Sequence, residues 1–175
     1  MPKLETILDD SGKYLEIINI DQAVGTKGVN HPDDVKIVKA LFYYIPRAYK
    51  KGKVSSSMNA IGYDSSWNIP SNKIPSPLDG TMWGIVELTK SFQKYANKML
   101  ANYGYRVNVS GTIKPSNGYA LVGKNYSTIA ALNVFAALGA RHYKKGYIND
   151  IKSSYYGEFN YLDYESEEEE VWGDG

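Results

Sequence analysis

The chain has 175 residues, 43% of them hydrophobic and 22% charged, with a formal net charge of +1 and no cysteine. That length suits one domain with a hydrophobic core, with or without arms. The missing cysteines exclude a disulfide framework, a Cys-based zinc site and a cysteine nucleophile, and leave the compartment undecided. No apolar run approaches the roughly 20 residues that span a bilayer. The N-terminus lacks the basic region and long apolar stretch of a secretory leader, so cytoplasmic synthesis is expected, with release or export by another route.

Residues 1–20 read as an N-terminal arm in which 14–20, apolar and β-branched, forms a short strand. A helix is expected after Asn30. Pro32 suits a first helical position, Asp33 and Asp34 suit the positive end of the dipole, and Val35, Val38, Leu41, Phe42 and Ile45 recur at helical spacing. Pro46 should end or kink it. Residues 50–80 are broken by Gly52, Ser55–Ser57, Pro70, Pro75 and Pro77 and read as a long irregular loop. A second helix is predicted from Thr81 or Gly84 to Tyr103. Ile85, Leu88, Phe92, Tyr95, Met99 and Tyr103 face inward, Lys90, Lys94 and Lys98 form an outer ridge, and Gly104 caps the end. A third runs from an N-cap at Ser127 or Thr128 through Ile129, Leu132, Phe135 and Leu138, with Gly139 at its end. Residues 143–175 form a tyrosine-rich strap and an acidic tail.

Several separated phrases then fall into an order. They are Val24-Gly25-Thr26-Lys27-Gly28-Val29-Asn30-His31-Pro32-Asp33-Asp34-Val35 with Val38 and Leu41-Phe42, then Asp79-Gly80, Phe92-Gln93, Gly111-Thr112-Ile113-Lys114-Pro115, and Thr128-Ile129 with Leu132-Asn133. In this order the chain resembles the peptidoglycan-binding-like domain family across roughly Ile20 to Asn133. It departs from the pattern at Lys39 (for Gln), at Gly84 (without its following Thr) and at Ser110 (for Asp). The resemblance implies a mainly α fold, a three-helix core over 21–142, and a non-catalytic module that binds peptidoglycan or a related glycan. The matching residues are helix starts, turns and core positions, so they speak for fold more than for a ligand site.

The chemistry outside that string is sparse. Gly118–Lys124 has the spacing of a phosphate loop, but Asn125 stands where Ser or Thr must reach magnesium, and no clear buried strand precedes it. His31 and His142 lack partners at metal-ligand spacing, so His31 is assigned to the start of the first helix. Asp64 and Asp79 flank the long loop, with turn and solvent roles favoured over a hydrolytic pair. Neither a cofactor nor a metal is expected.

The glycan-binding candidates are Tyr63, Trp67 and Trp83 around the irregular loop, where flat rings stack on sugar faces. The commoner role for such tryptophans is to pin a loop onto its helices. Seven of the nineteen acidic residues lie beyond Asn160, where there is no Lys or Arg, so the preceding body carries +8. This asymmetry supports a second reading: a structural or assembly subunit on the same helical scaffold, contacting itself or a partner protein through the tail. Nucleic acid ranks below both, because no reader motif accompanies the basic ridge.

Overall fold

The computed structural model describes residues 2–50, 82, 84–140, 147–149 and 151. In chain order the elements are β1 (Lys3–Leu8), β2 (Tyr14–Asn19), β3 (Val24–Gly25), α1 (Pro32–Lys50), α2 (Ile85–Leu100), a 3-10 turn (Ala101–Tyr103), β4 (Thr112–Ile113), β5 (Leu121–Val122), β6 (Asn125–Tyr126) and α3 (Thr128–Ala140).

The mainly α, three-helix architecture expected from the sequence is therefore corrected. Among the described residues the helices share the fold with three antiparallel two-stranded sheets, β1–β2, β3–β4 and β5–β6. The expected N-terminal arm is instead a hairpin. Its strands pair from Lys3 with Asn19 to Leu8 with Tyr14. The Asp9 carboxylate shapes the turn, accepting from the Ser11 N–H at 2.8 Å and the Lys13 N–H at 2.9 Å. Strand 14–20 was legible from its composition. Its integration was not, because Ile7, Ile17 and Ile18, with Ile20 just beyond the strand, lie inside the same core as the helices.

Helix α1 starts where Pro32 and the two aspartates place it, with the His31 carbonyl accepting from the Val35 N–H at 3.0 Å. It is central rather than amphipathic at the surface. Val35, Ile37, Val38, Ala40, Leu41, Phe42, Tyr44 and Ile45 are all buried, as is Lys39. Pro46 does not end it. Losing a single backbone donor leaves the neighbouring helical bonds available, and the helix continues to Lys50.

Helix α2 buries Ile85, Leu88, Phe92 and Tyr95 and leaves Lys90, Lys94 and Lys98 exposed, as its periodicity predicts. Gly104, in the left-handed region at φ 78°, closes the 3-10 turn. Tyr103 departs from the predicted stripe. The tighter turn carries it outward, where it is 59% exposed and stacks on Tyr105. Helix α3 is capped by Ser127, whose hydroxyl accepts from the Ala130 N–H, and it runs through Gly139 rather than stopping there. Edge-to-face contacts of Phe92 with Phe42 (5.7 Å) and with Phe135 (5.8 Å) tie the three helices together. Tyr147 and Ile151 also join this core.

Candidate functional site

Four amide side chains, Asn30 half-buried and the others buried, each bind a stretch of backbone from another element, and two of them, Asn19 and Gln93, hold the loops between α2 and α3. Asn30, at φ 58°, accepts from the Gly25 N–H at 2.7 Å and donates to the Gly25 carbonyl at 3.2 Å. Asn19 accepts from the Ser116 N–H at 3.0 Å and donates to the Ser116 carbonyl at 2.9 Å. Asn133 does the same to Ile18. Gln93, fully buried on α2, accepts from the N–H groups of Ser110 and Gly111 and donates to the Thr112 carbonyl at 3.0 Å. A primary amide can do this because it offers a donor and an acceptor side by side, as a strand backbone does.

One turn beyond Gln93, Asn97 accepts from the Val107 N–H at 3.1 Å. β4 then pairs with β3, and Gly25 approaches Gly111 so closely that a Cβ there would lie 2.0 Å from the Gly111 carbonyl oxygen. The next segment is held from the other side. Leu8 donates to the Gly118 carbonyl, and Ala120 donates to the Leu8 carbonyl. Gly118–Lys124, weighed as a phosphate loop, is a hairpin arm: Val122 pairs with Asn125 across Gly123 at φ 64°. Strand β6 rather than a helix follows its lysine directly, so the arrangement a phosphate loop requires is not formed.

These fixed segments enclose a groove of about 730 Å³. Asn97 of α2 lies on one side, and the 106–110 and 114–119 loops with the β5–β6 hairpin form the rest. Its lining combines amides and hydroxyls (Asn108, Ser110, Asn117, Asn125, Ser127 and Thr128) with the apolar surfaces of Val109, Tyr119 and Val122. Val109, Tyr119 and Val122 are exposed, at 39%, 54% and 68%. Arg106 and Lys114 are cationic members of the lining, and no described lining residue is acidic. The Arg106 Nε donates to the Asn125 side-chain oxygen at 3.1 Å, which orients the guanidinium along the hairpin.

Tyr126, a largely buried member of the lining, is followed outward by Tyr105 and Tyr103, with ring centroids 6.3 Å apart at each step. Burial, then the nearby Asp10, Asp9 and Tyr105, pushes the Tyr126 phenol up from 10.0 to about 12. This phenol stays protonated and serves as a packed ring rather than a base.

The sequence-derived glycan residues Tyr63, Trp67 and Trp83 lie outside the described residues, as do Asp64, Asp79 and His142. His31 is at the start of α1, where its Nδ1 accepts from the Asp33 N–H at 3.3 Å. Among the described residues no group of three or more His, Cys, Asp or Glu side chains could hold a metal, and no helix is long and apolar enough to cross a membrane. The groove residues were missed because each is a common surface type in a short loop. One signal was available in hindsight: between Glu87 and Asp150 the chain carries nine Lys and Arg and no acidic residue. No protein-family model matches this chain, and comparison with curated proteins and with solved structures yields no match.

Proposed function

We propose that the protein is a non-catalytic module that binds peptidoglycan or a related cell-wall glycan. The observation that carries this reading is the groove, which combines closely spaced amide and hydroxyl side chains with Tyr119, Val109 and Val122. A saccharide needs both kinds of surface, hydrogen-bonding groups for its hydroxyls and apolar area for its C–H faces. The loops are held by Gln93, Asn97 and Asn19 before any ligand arrives, so little ordering cost is added on binding. Full-length protein should be retained on purified sacculi without releasing soluble fragments. Asn108→Ala and Tyr119→Ala should each weaken retention, and Trp67→Ala tests the aromatic candidates. Absence of retention at low salt would refute the proposal.

A second reading, as an assembly subunit, has support of its own. Tyr14 and Val29, 79% and 62% exposed, are large apolar side chains outside the groove lining. Light scattering decides it: a monomer at high concentration would contradict assembly.

A further inference from the structure

The chemistry of the groove goes further than a generic saccharide. We infer that its ligand is anionic, a glycan bearing carboxylate or phosphodiester groups, a refinement that rests on the glycan-binding reading above. Arg106 and Lys114 line the groove, both are exposed, and neither forms an ion pair among the described residues. Two acids of the N-terminal hairpin are already engaged there. Glu5 pairs with Lys3 at 2.9 Å and accepts from the Asn19 amide, and Asp9 is held by its own turn. Asp10 acts on Tyr105 and on Tyr126, the latter a lining residue, and is not itself part of the lining. The Lys90, Lys94 and Lys98 ridge lies on α2, the helix that brings Asn97 to the groove, which extends the positive field beyond the lining.

The two cations have different geometries. Arg106 presents a planar fork, steadied through its Nε, that matches the paired oxygens of a carboxylate or phosphate. Lys114 supplies a mobile point charge suited to the next anionic group along a chain. A neutral sugar can accept hydrogen bonds from either cation but forms no ion pair with them, so an anionic glycan gains additional affinity through these two residues.

The test titrates the full-length protein with four probes: a neutral chitin oligosaccharide, a peptide-free N-acetylglucosamine–N-acetylmuramic acid oligosaccharide, a glycerol-phosphate teichoic acid fragment and a single-stranded oligonucleotide. At least one charged glycan should bind about tenfold more tightly than the neutral one at low salt. That advantage should shrink as salt rises and fall to about twofold or less in the Arg106→Gln/Lys114→Gln variant. Which charged glycan binds more tightly separates carboxylate from phosphodiester recognition. Equal affinity for neutral and charged sugars would overturn the anionic inference and leave glycan binding standing. No saturable binding of any glycan would overturn both. Oligonucleotide binding tighter than every glycan, and lost in the double variant, would overturn the assignment to a glycan.

Discussion

The side-chain amide of Asn133 on α3 sits edge-on against Ile18 of β2, accepting its N–H at 2.9 Å and donating to its carbonyl at 3.0 Å. The same oxygen accepts from the Tyr147 hydroxyl at 2.8 Å, and the amide also donates to the Ile129 carbonyl. A single side chain therefore closes the free edge of the hairpin, anchors it to a helix and collects a residue from the C-terminal region. Asn133→Leu retains similar volume and removes all of this. It should cost about 2–4 kcal/mol in chemical denaturation, because a buried N–H, a carbonyl and a phenol lose their partner.

Gln93 plays the corresponding part for the groove. Replacing it by Met leaves the Ser110 and Gly111 N–H groups and the Thr112 carbonyl without their shared partner. A loss of about 2–3 kcal/mol is expected. Amide hydrogen exchange at Ser110 and Gly111 should accelerate well beyond that of α1. Uniform acceleration across the chain would show that Gln93 supports the whole fold rather than this loop.

Two glycines with positive φ should respond differently to the same substitution. Gly104→Ala meets open space and should cost about 1 kcal/mol, the strain of a left-handed alanine. At Gly25 the φ is +120° and the added carbon would collide with the Gly111 carbonyl. Gly25→Ala should cost about 3 kcal/mol or more, or prevent folding, since β3 and β4 would have to separate. Thermal melts of the two variants side by side check the contrast.

Thr89 carries a buried hydroxyl with no hydrogen-bond partner among the described residues. Thr89→Val replaces it with a methyl of similar size. The variant should be as stable as the parent or up to about 1 kcal/mol more stable, because an uncompensated desolvation is removed. A lowered denaturation midpoint would show that this hydroxyl is used.

Alkaline pH should weaken the fold through Tyr126 and Tyr147. Burial raises both phenols above the ordinary value of 10.0, Tyr126 to about 12. The folded state then holds these protons more tightly than the unfolded chain. The resulting stability is fully present below pH 10 and is lost as pH rises towards 12 and beyond. Phenolate absorbance should show late-titrating tyrosines coincident with unfolding, and Tyr126→Phe should flatten the fall.

The helices were legible because their signals are local. Pro32 with Asp33 and Asp34 marks a start, the spacing of Leu88, Phe92 and Tyr95 marks a face, and Gly104 marks an end. Asn30, Gly25, Gln93, Gly111 and Asn133 were also visible in the sequence, as members of an ordered string. Their physical role was not, since an asparagine reads as a cap or a turn until its partner is known. The partners lie far along the chain: Ile18 for Asn133, Ser116 for Asn19.

Composition and periodicity alone placed the starts of α1, α2 and α3, the buried stripe of α2 from Ile85 to Tyr95 and the asymmetry of charge along the chain, but not the architecture. Tertiary structure decided that the N-terminal residues form a core hairpin, that α1 is buried at most positions from Asp34 to Ile45, and that the Asn- and Ser-rich loops after α2 converge on a groove. The reason is the range of the forces involved. Helix periodicity is written within a few turns, whereas a two-residue strand has too few residues to carry a pattern and exists here because a distant amide or backbone satisfies its hydrogen bonds.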